Sequence, residues 1–204
     1  YFGYFKKMML TLHNMIMMRR GRLPLHGAMT HLRLREGPEQ SIIIVGDSGA
    51  GKSETLEAFR ELASEWISDM TVIFDDMGSM DIEGERLVGY GTEIGAFVRL
   101  DDLDPGYAFG RFDRAIFMNP QRQNARLVLP ISEYRSVVAG YDVSMLLYAN
   151  NYEPVTEATP IVEFFQRPQQ SMEVFREGRR AAKGTTDERG LVSTYYANPF
   201  GPDQ

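Results

Sequence analysis

A glycine-rich stretch, "GDSGAGKS" (Gly46 to Ser53), constrains the fold of this chain more than any other feature. It fits the phosphate-loop pattern G-x-x-x-x-G-K-[ST], which carries chemistry only between a strand and a helix. The preceding "SIIIV" is short and β-branched, which predicts a buried strand. The following "ETLEAFRELASEW" has apolar residues at helical spacing, and these predict a helix of about four turns. The apolar residues of that helix are Leu56, Phe59, Leu62, Ala63 and Trp66.

Each part of the loop has a physical role in gripping phosphates. Glycine tolerates positive φ, so we expect Gly46, Gly49 and Gly51 to turn the backbone amides inward. The amides and the helix N-terminus together form a concave anion site. Lys52 supplies a charge for the β and γ phosphates, and Ser53 offers a hydroxyl to Mg²⁺. The loop residues expected to contact nucleotide are Gly46, Asp47, Ser48, Gly49, Ala50, Gly51, Lys52 and Ser53.

Two aspartates follow the next apolar run. "MTVIFDD" predicts a second buried strand that ends in Asp75 and Asp76. A carboxylate at the end of a strand beside a phosphate loop commonly orients magnesium, directly or through water. Acidic residues are also common in solvated turns after strands. The phosphate loop nearby favours the metal role for both aspartates.

The rest of the chain alternates helical and strand-like patterns. We expect a mixed α/β fold in a single domain, residues 1–204, with more antiparallel strand than a doubly wound sheet. The predicted pieces are a helix at 4–18, a short strand or loop around His26, a turn at 35–40, a polar glycine-rich stretch at 77–95, strands at "AFVRL", "AIFM", "ARLVLP" and "VSMLLYA", a helix from about Ser171, and a loop-like tail from "TTDERG".

Composition narrows the class of protein. The net charge of −6 disfavours broad nucleic-acid binding, which needs a basic face. The chain has no cysteine, which fits a cytoplasmic protein. It also lacks the roughly 18 uncharged apolar residues of a membrane helix, so we expect no membrane partner. Because it begins at Tyr1 rather than methionine, we expect a piece of a longer protein.

Several stretches in order resemble one enzyme family. They are "YFGYFKKMM", "PLHGAM", "GDSGAGKS", "FDDMG", "EIGAFVRL", "LDPGYAF", "QNARLVLPISEY", and "AAKGTTDERG" followed by "YYANPFG". Together they resemble the nucleotide-binding half of phosphoenolpyruvate carboxykinase, the ATP-dependent type more than the GTP-dependent one. In that family Y-x-G-x-x-K-K-G-M and M-H-C-S-A stand at the same separation as Lys7 and His26. The missing part would be an N-terminal domain that binds the substrate.

The resemblance implies roles for particular residues. Lys7, His26 and Asp76 would hold a reaction metal, and a mixed N/O ligand set suits Mn²⁺ better than Mg²⁺. Arg126 would neutralise charge on the transferring phosphoryl group, acting with Lys7 and Lys52 in catalysis. The residues implied in metal binding are Lys7, His26, Ser53, Asp75 and Asp76. The further nucleotide contacts implied are Arg99, Asp104, Arg189 and Thr194.

The implied reaction converts oxaloacetate and ATP to phosphoenolpyruvate, carbon dioxide and ADP, with a small carboxylate as the substrate of the full-length protein. The sequence departs from the family at Met77, where the family has glutamate, and at Arg99, where it has lysine. Two alternatives stay open. The chain could be a kinase of another substrate on the same scaffold, or a non-catalytic module that senses ATP.

Overall fold

The structure, a computed structural model, describes residues 2–47, 49–62, 65–99, 116–118, 126–182 and 189–193. The helices are α1 (Phe2–Arg19), α2 (Lys52–Leu62), α3 (Tyr134–Val138) and α4 (Pro168–Glu177). The strands are β1 (Leu23–Leu34), β2 (Gln40–Val45), β3 (Ile67–Glu83), β4 (Arg86–Gly91), β5 (Gly95–Arg99), β6 (Ile116–Met118), β7 (Arg126–Pro130), β8 (Tyr141–Asp142), β9 (Met145–Tyr148), β10 (Arg179–Ala181) and β11 (Leu191–Ser193).

A six-stranded sheet in the order β8-β4-β3-β1-β2-β9 forms the centre of the described structure. Its β2–β9 pair is parallel, and the other neighbours in this sheet are antiparallel. A three-stranded sheet, β5-β7-β6, and the two-stranded β10-β11 hairpin complete the strands. This arrangement confirms the predicted mixed α/β fold and its excess of antiparallel pairing.

The central sheet is covered on both faces, which explains the unbroken apolar run of β2. Ile42 and Ile44 belong to one buried cluster, together with Leu56 of α2. Ile43 and Val45 belong to a second cluster. Because successive strand residues point to opposite faces, a strand buried on both sides needs apolar residues at every position. The predicted buried strand is therefore confirmed, as is the turn between β1 and β2.

Two strands are longer than the sequence predicts. β1 extends over 12 residues and includes His26, where a short strand or loop was expected. β3 runs for 17 residues, so Asp75 and Asp76 lie within the strand and not at its end. The polar, glycine-rich stretch at 77–95, for which no strand was predicted, contains the β3–β4 hairpin turn at Gly84, with φ 67°. Pairing with β1 and β4 satisfies the backbone of β3 beyond the aspartates, which outweighs its polar composition.

The helices follow the predictions with shifted ends. α1 matches the predicted helix, whereas α2 ends at Leu62 and has 11 residues, about three turns. Trp66 lies in the turn before β3 with 71% of its surface exposed, so it is not on the apolar side of the helix. α4 begins at Pro168, whose fixed φ suits a first helical turn. β11 lies where a loop-like tail was expected.

Candidate phosphate-loop and metal site

The glycine loop joins the end of β2 to the start of α2, which is the strand–loop–helix context that the sequence predicts. Gly49 and Gly51 have φ of 77° and 83°, which confirms the positive φ expected for them. The prediction is wrong for Gly46, which does not have positive φ. Glycine is required there for space, because an added Cβ would lie 2.4 Å from the carbonyl oxygen of Ala149. The chain leaving β9 thus supports the loop from one side.

Lys52 is folded back over the loop. It is the first residue of α2, and 8% of its surface is exposed. Its Nζ donates a hydrogen bond of 2.8 Å to the carbonyl oxygen of Asp47, and the amide of Ala50 donates to the same oxygen at 3.2 Å. The amide of Thr55 donates to the Gly51 carbonyl at 2.9 Å and starts the helix. The ammonium group is therefore held within the loop that precedes it.

The structure brings Ser53 and Asp75 together. The Ser53 hydroxyl donates a hydrogen bond of 2.8 Å to Asp75 Oδ1. Ser53 lies in the first turn of α2, and Asp75 lies in β3 opposite Ala28 of β1. A hydroxyl and a carboxylate oxygen are both ligands that Mg²⁺ accepts. Ser53 and Asp75, both predicted to bind magnesium, lie on two different elements and are joined by this hydrogen bond.

Asp76 has different partners. Lys6 Nζ of α1 lies 2.9 Å from Asp76 Oδ2, and His26 Nε2 of β1 lies 3.3 Å from Asp76 Oδ1. Lys6 Nζ also lies 3.2 Å from Glu93 Oε1. The cluster therefore places two carboxylates, one amine and one imidazole in contact, with Lys6 between the acids.

These contacts shift the pKa values within the cluster. Burial alone raises the pKa of Asp76, but the hydrogen bond with His26 and the charge of Lys6 outweigh it and hold the pKa well below its usual range. Burial lowers the pKa of Lys6, and the carboxylates of Asp76 and Glu93 more than offset this, so the pKa is raised. Burial raises the pKa of Glu93. Lys6 is thus an ammonium at neutral pH, and it must lose a proton before it can bind a metal.

The lysine at this cluster is Lys6 and not Lys7. Lys7 is exposed, and its backbone carbonyl accepts a hydrogen bond from the Thr11 hydroxyl. Helical spacing alone does not decide between the two lysines. The buried residues of α1 include Leu10, Asn14 and Met17. Lys6 is four residues before Leu10, whereas Lys7 is three before Leu10 and seven before Asn14, so spacing alone places both near the buried side of the helix.

A second charged contact lies inside the loop. The Asp47 side chain is buried, with 6% of the residue exposed. Its Oδ2 lies 3.1 Å from Arg180 Nε of β10, and its Oδ1 lies 3.9 Å from His26 Nδ1. Asp47 is predicted from the loop motif, whereas no motif predicts Arg180 or Glu93. Arg180 is remote in the chain and has no local motif that would identify it.

The structure describes only some of the other residues that are predicted to contact the nucleotide. Arg99 and Arg126 face each other in the antiparallel β5–β7 pair, so their backbones are adjacent. Arg189 is exposed just before β11. Ser48, Asp104 and Thr194 lie outside the described residues.

In the described ranges, no three side chains of histidine, cysteine, aspartate or glutamate form a group that could hold a metal ion. The predicted ligand set of Lys7, His26 and Asp76 has one histidine, one aspartate and a lysine. It would therefore not form a group of three such side chains. No helix among the described residues is long and apolar enough to span a membrane. No model of a known protein family matches the chain, and no curated protein matches it either.

Proposed function

We propose that this chain binds ATP with Mg²⁺ and serves phosphoryl transfer as the nucleotide-binding domain of a carboxykinase-like enzyme. The observation that carries the proposal is the hydrogen bond between Ser53 and Asp75 beside the glycine loop. Phosphoryl transfer depends mainly on positioning and electrostatic stabilisation, and the usual parts are a glycine loop, its lysine, and a hydroxyl and a carboxylate on magnesium. The chain has a counterpart of each part, and this supports the proposal.

The chain's own groups then have defined tasks. The loop amides bind phosphate oxygens, and Lys52 turns from the Asp47 carbonyl toward the β and γ phosphates. Ser53 and Asp75 hold the magnesium ion. Arg126, beside Arg99 in the sheet, neutralises charge on the phosphoryl group in transfer. The roles of Lys52, Ser53 and Asp75 are argued from their contacts beside the loop. The role of Arg126 rests on the resemblance to the carboxykinases.

A second metal site fits the cluster around Asp76. His26 and Asp76 offer an imidazole nitrogen and a carboxylate oxygen within 3.3 Å of each other. The Lys6 ammonium, 2.9 Å from Asp76, already holds a positive charge at the carboxylate where a metal would bind. A mixed N/O set suits Mn²⁺, which would act as a Lewis acid on the acceptor when bound. Binding would require Lys6 to release its proton or move aside, so it should weaken as pH falls.

The proposed substrate in the full-length protein is a small carboxylate. The resemblance points to oxaloacetate, converted with ATP to phosphoenolpyruvate, carbon dioxide and ADP. A kinase of another substrate would keep Lys52, Ser53 and either Asp75 or Asp76. It would not need Lys7 and His26. An ATP-sensing module would not need Arg126. A coupled assay for phosphoenolpyruvate with the full-length protein separates the carboxykinase from both alternatives.

The experiment that tests nucleotide binding is calorimetric titration with ATP and Mg²⁺. We expect Lys52→Ala to weaken binding by at least about tenfold, because hydrogen bonds from a charged donor contribute about 1.5–3 kcal/mol. Arg60→Ala, in the last turn of the same helix, is the matched control for loss of a positive charge. Equal affinity in Lys52→Ala and wild type, or equal losses in both variants, would show that the loop is not the nucleotide site.

A further inference from the structure

An acidic side chain inside a phosphate-binding loop is electrostatically unfavourable. Asp47 is the second residue of the loop, and its carboxylate is buried. Its backbone carbonyl accepts the Lys52 hydrogen bond, so the residue lies next to the lysine that would bind the phosphates. A carboxylate and a triphosphate that lie close together repel each other strongly where water is largely excluded. The loop therefore needs a positive charge that compensates Asp47 without occupying the phosphate site.

Arg180 meets that requirement. Its Nε lies 3.1 Å from Asp47 Oδ2, and 5% of the residue is exposed. The other carboxylate oxygen of Asp47 lies 3.9 Å from His26 Nδ1, on β1. Because guanidinium remains charged at all physiological pH values, Arg180 neutralises the carboxylate permanently. A buried carboxylate without such a partner would be strongly disfavoured.

The backbone around Arg180 is held in place. The amide of Ala181 donates a hydrogen bond of 2.8 Å to Asn151 Oδ1, just after β9. Arg180 also lies opposite Val192 in the β10–β11 hairpin. The same post-β9 segment includes Ala149, which packs against Gly46. The guanidinium is thus presented to the loop from a fixed strand.

We propose that Arg180 is a positioning residue that cancels the charge of Asp47 and so allows the loop to accept a polyphosphate anion. This inference rests on the proposed nucleotide-binding function. It also assigns a role to the β10–β11 hairpin, which links the later part of the chain to the loop. Arg180 acts through Asp47 and does not itself contact the nucleotide.

The inference predicts opposite effects for the two halves of the ion pair. Arg180→Met leaves a buried negative charge beside the phosphates, so the Kd for MgATP should rise by at least about tenfold. Asp47→Asn removes that charge and should lower the Kd, by up to about threefold. The double variant Asp47→Asn/Arg180→Met should recover most of the affinity that Arg180→Met loses. A purely structural pair predicts instead that either single change weakens binding and that the double change rescues nothing.

The test is calorimetric titration with ATP and Mg²⁺ at fixed ionic strength, with circular dichroism melting curves to confirm folding. Arg179→Met is the matched control, because Arg179 is the preceding residue on β10 and pairs with Glu177 at an exposed position. Weakening of MgATP binding in Asp47→Asn would overturn the inference, even if Arg180→Met does not fold. So would equal affinities of Arg180→Met and Arg179→Met. If Lys52→Ala leaves binding unchanged, the proposed function itself fails, and this result is distinct because it does not involve Arg180.

Discussion

Asp75 and Asp76 are adjacent residues of one strand, yet the protein treats them differently. Asp75 accepts a hydrogen bond from a neutral hydroxyl, that of Ser53. Asp76 contacts the ammonium of Lys6 and the imidazole of His26. Successive residues of a strand point to opposite sides, so neighbours in sequence meet different elements. Under the proposed function Asp75 would keep its charge for a bound cation, whereas the charge of Asp76 is already balanced by protein groups.

The largest effect should come from Asp75. We expect Asp75→Asn to raise the Kd for MgATP by about 10–100-fold, the usual loss when a group that holds or orients a metal is removed. The free energy of unfolding of the Asp75→Asn variant should change by no more than about 0.5 kcal/mol, because the lost hydrogen bond is at an exposed position. Calorimetry and urea denaturation measure the two quantities. A large loss of stability with unchanged MgATP affinity would reverse the roles given to the two aspartates.

Asp76→Asn should show the complementary pattern. It removes the negative charge beside Lys6, whose side chain is 13% exposed. The Asp76 side chain is 38% exposed, so solvent screens part of the interaction and we expect a loss of about 1–2 kcal/mol in the free energy of unfolding. Urea denaturation measures this loss of stability, and the m-value should stay unchanged. In the same proteins Mn²⁺ affinity should fall more in Asp76→Asn than in Asp75→Asn, and the opposite order would remove the proposed manganese site.

The smallest effect separates two neighbouring lysines. Lys6→Met removes the ammonium that lies between Asp76 and Glu93, and we expect it to cost about 1 kcal/mol of stability. Lys7→Met, at an exposed position, should change stability by less than about 0.5 kcal/mol. Thermal unfolding of both variants measures the difference. If the two substitutions cost the same, the contacts of Lys6 contribute nothing that an exposed lysine does not.

Local patterns in the sequence predict the loop and its flanking elements well. "SIIIV" and the glycine motif are short-range signals, and the strand, the loop and the start of α2 follow from them. The length of β3 does not follow, because its polar second half is stabilised by pairing with β1 and β4. Strand pairing depends on partners elsewhere in the chain, which a local pattern does not contain.

The site residues show the same limit at finer scale. One position along a helix rotates a side chain by about 100°, so choosing Lys7 over Lys6 changes the side of α1 on which the amine lies. Only the packing of α1 decides between them. Arg180 could not be found at all from local sequence, because its partner Asp47 is brought to it by the fold. The motif predicts where the glycine loop lies, and the fold determines which charges surround it.

The close packing of Gly46 against Ala149 has a consequence for how the chain is made. The loop is synthesised early, but the backbone that supports it follows about 100 residues later, and Arg180 later still. A ribosome adds about 5–20 residues per second, so many seconds separate the synthesis of the loop from that of its last support. Contacts between such distant segments also form slowly, because a long loop of chain must close first. Competence to bind nucleotide should therefore be acquired late in folding, after the early strands have already paired.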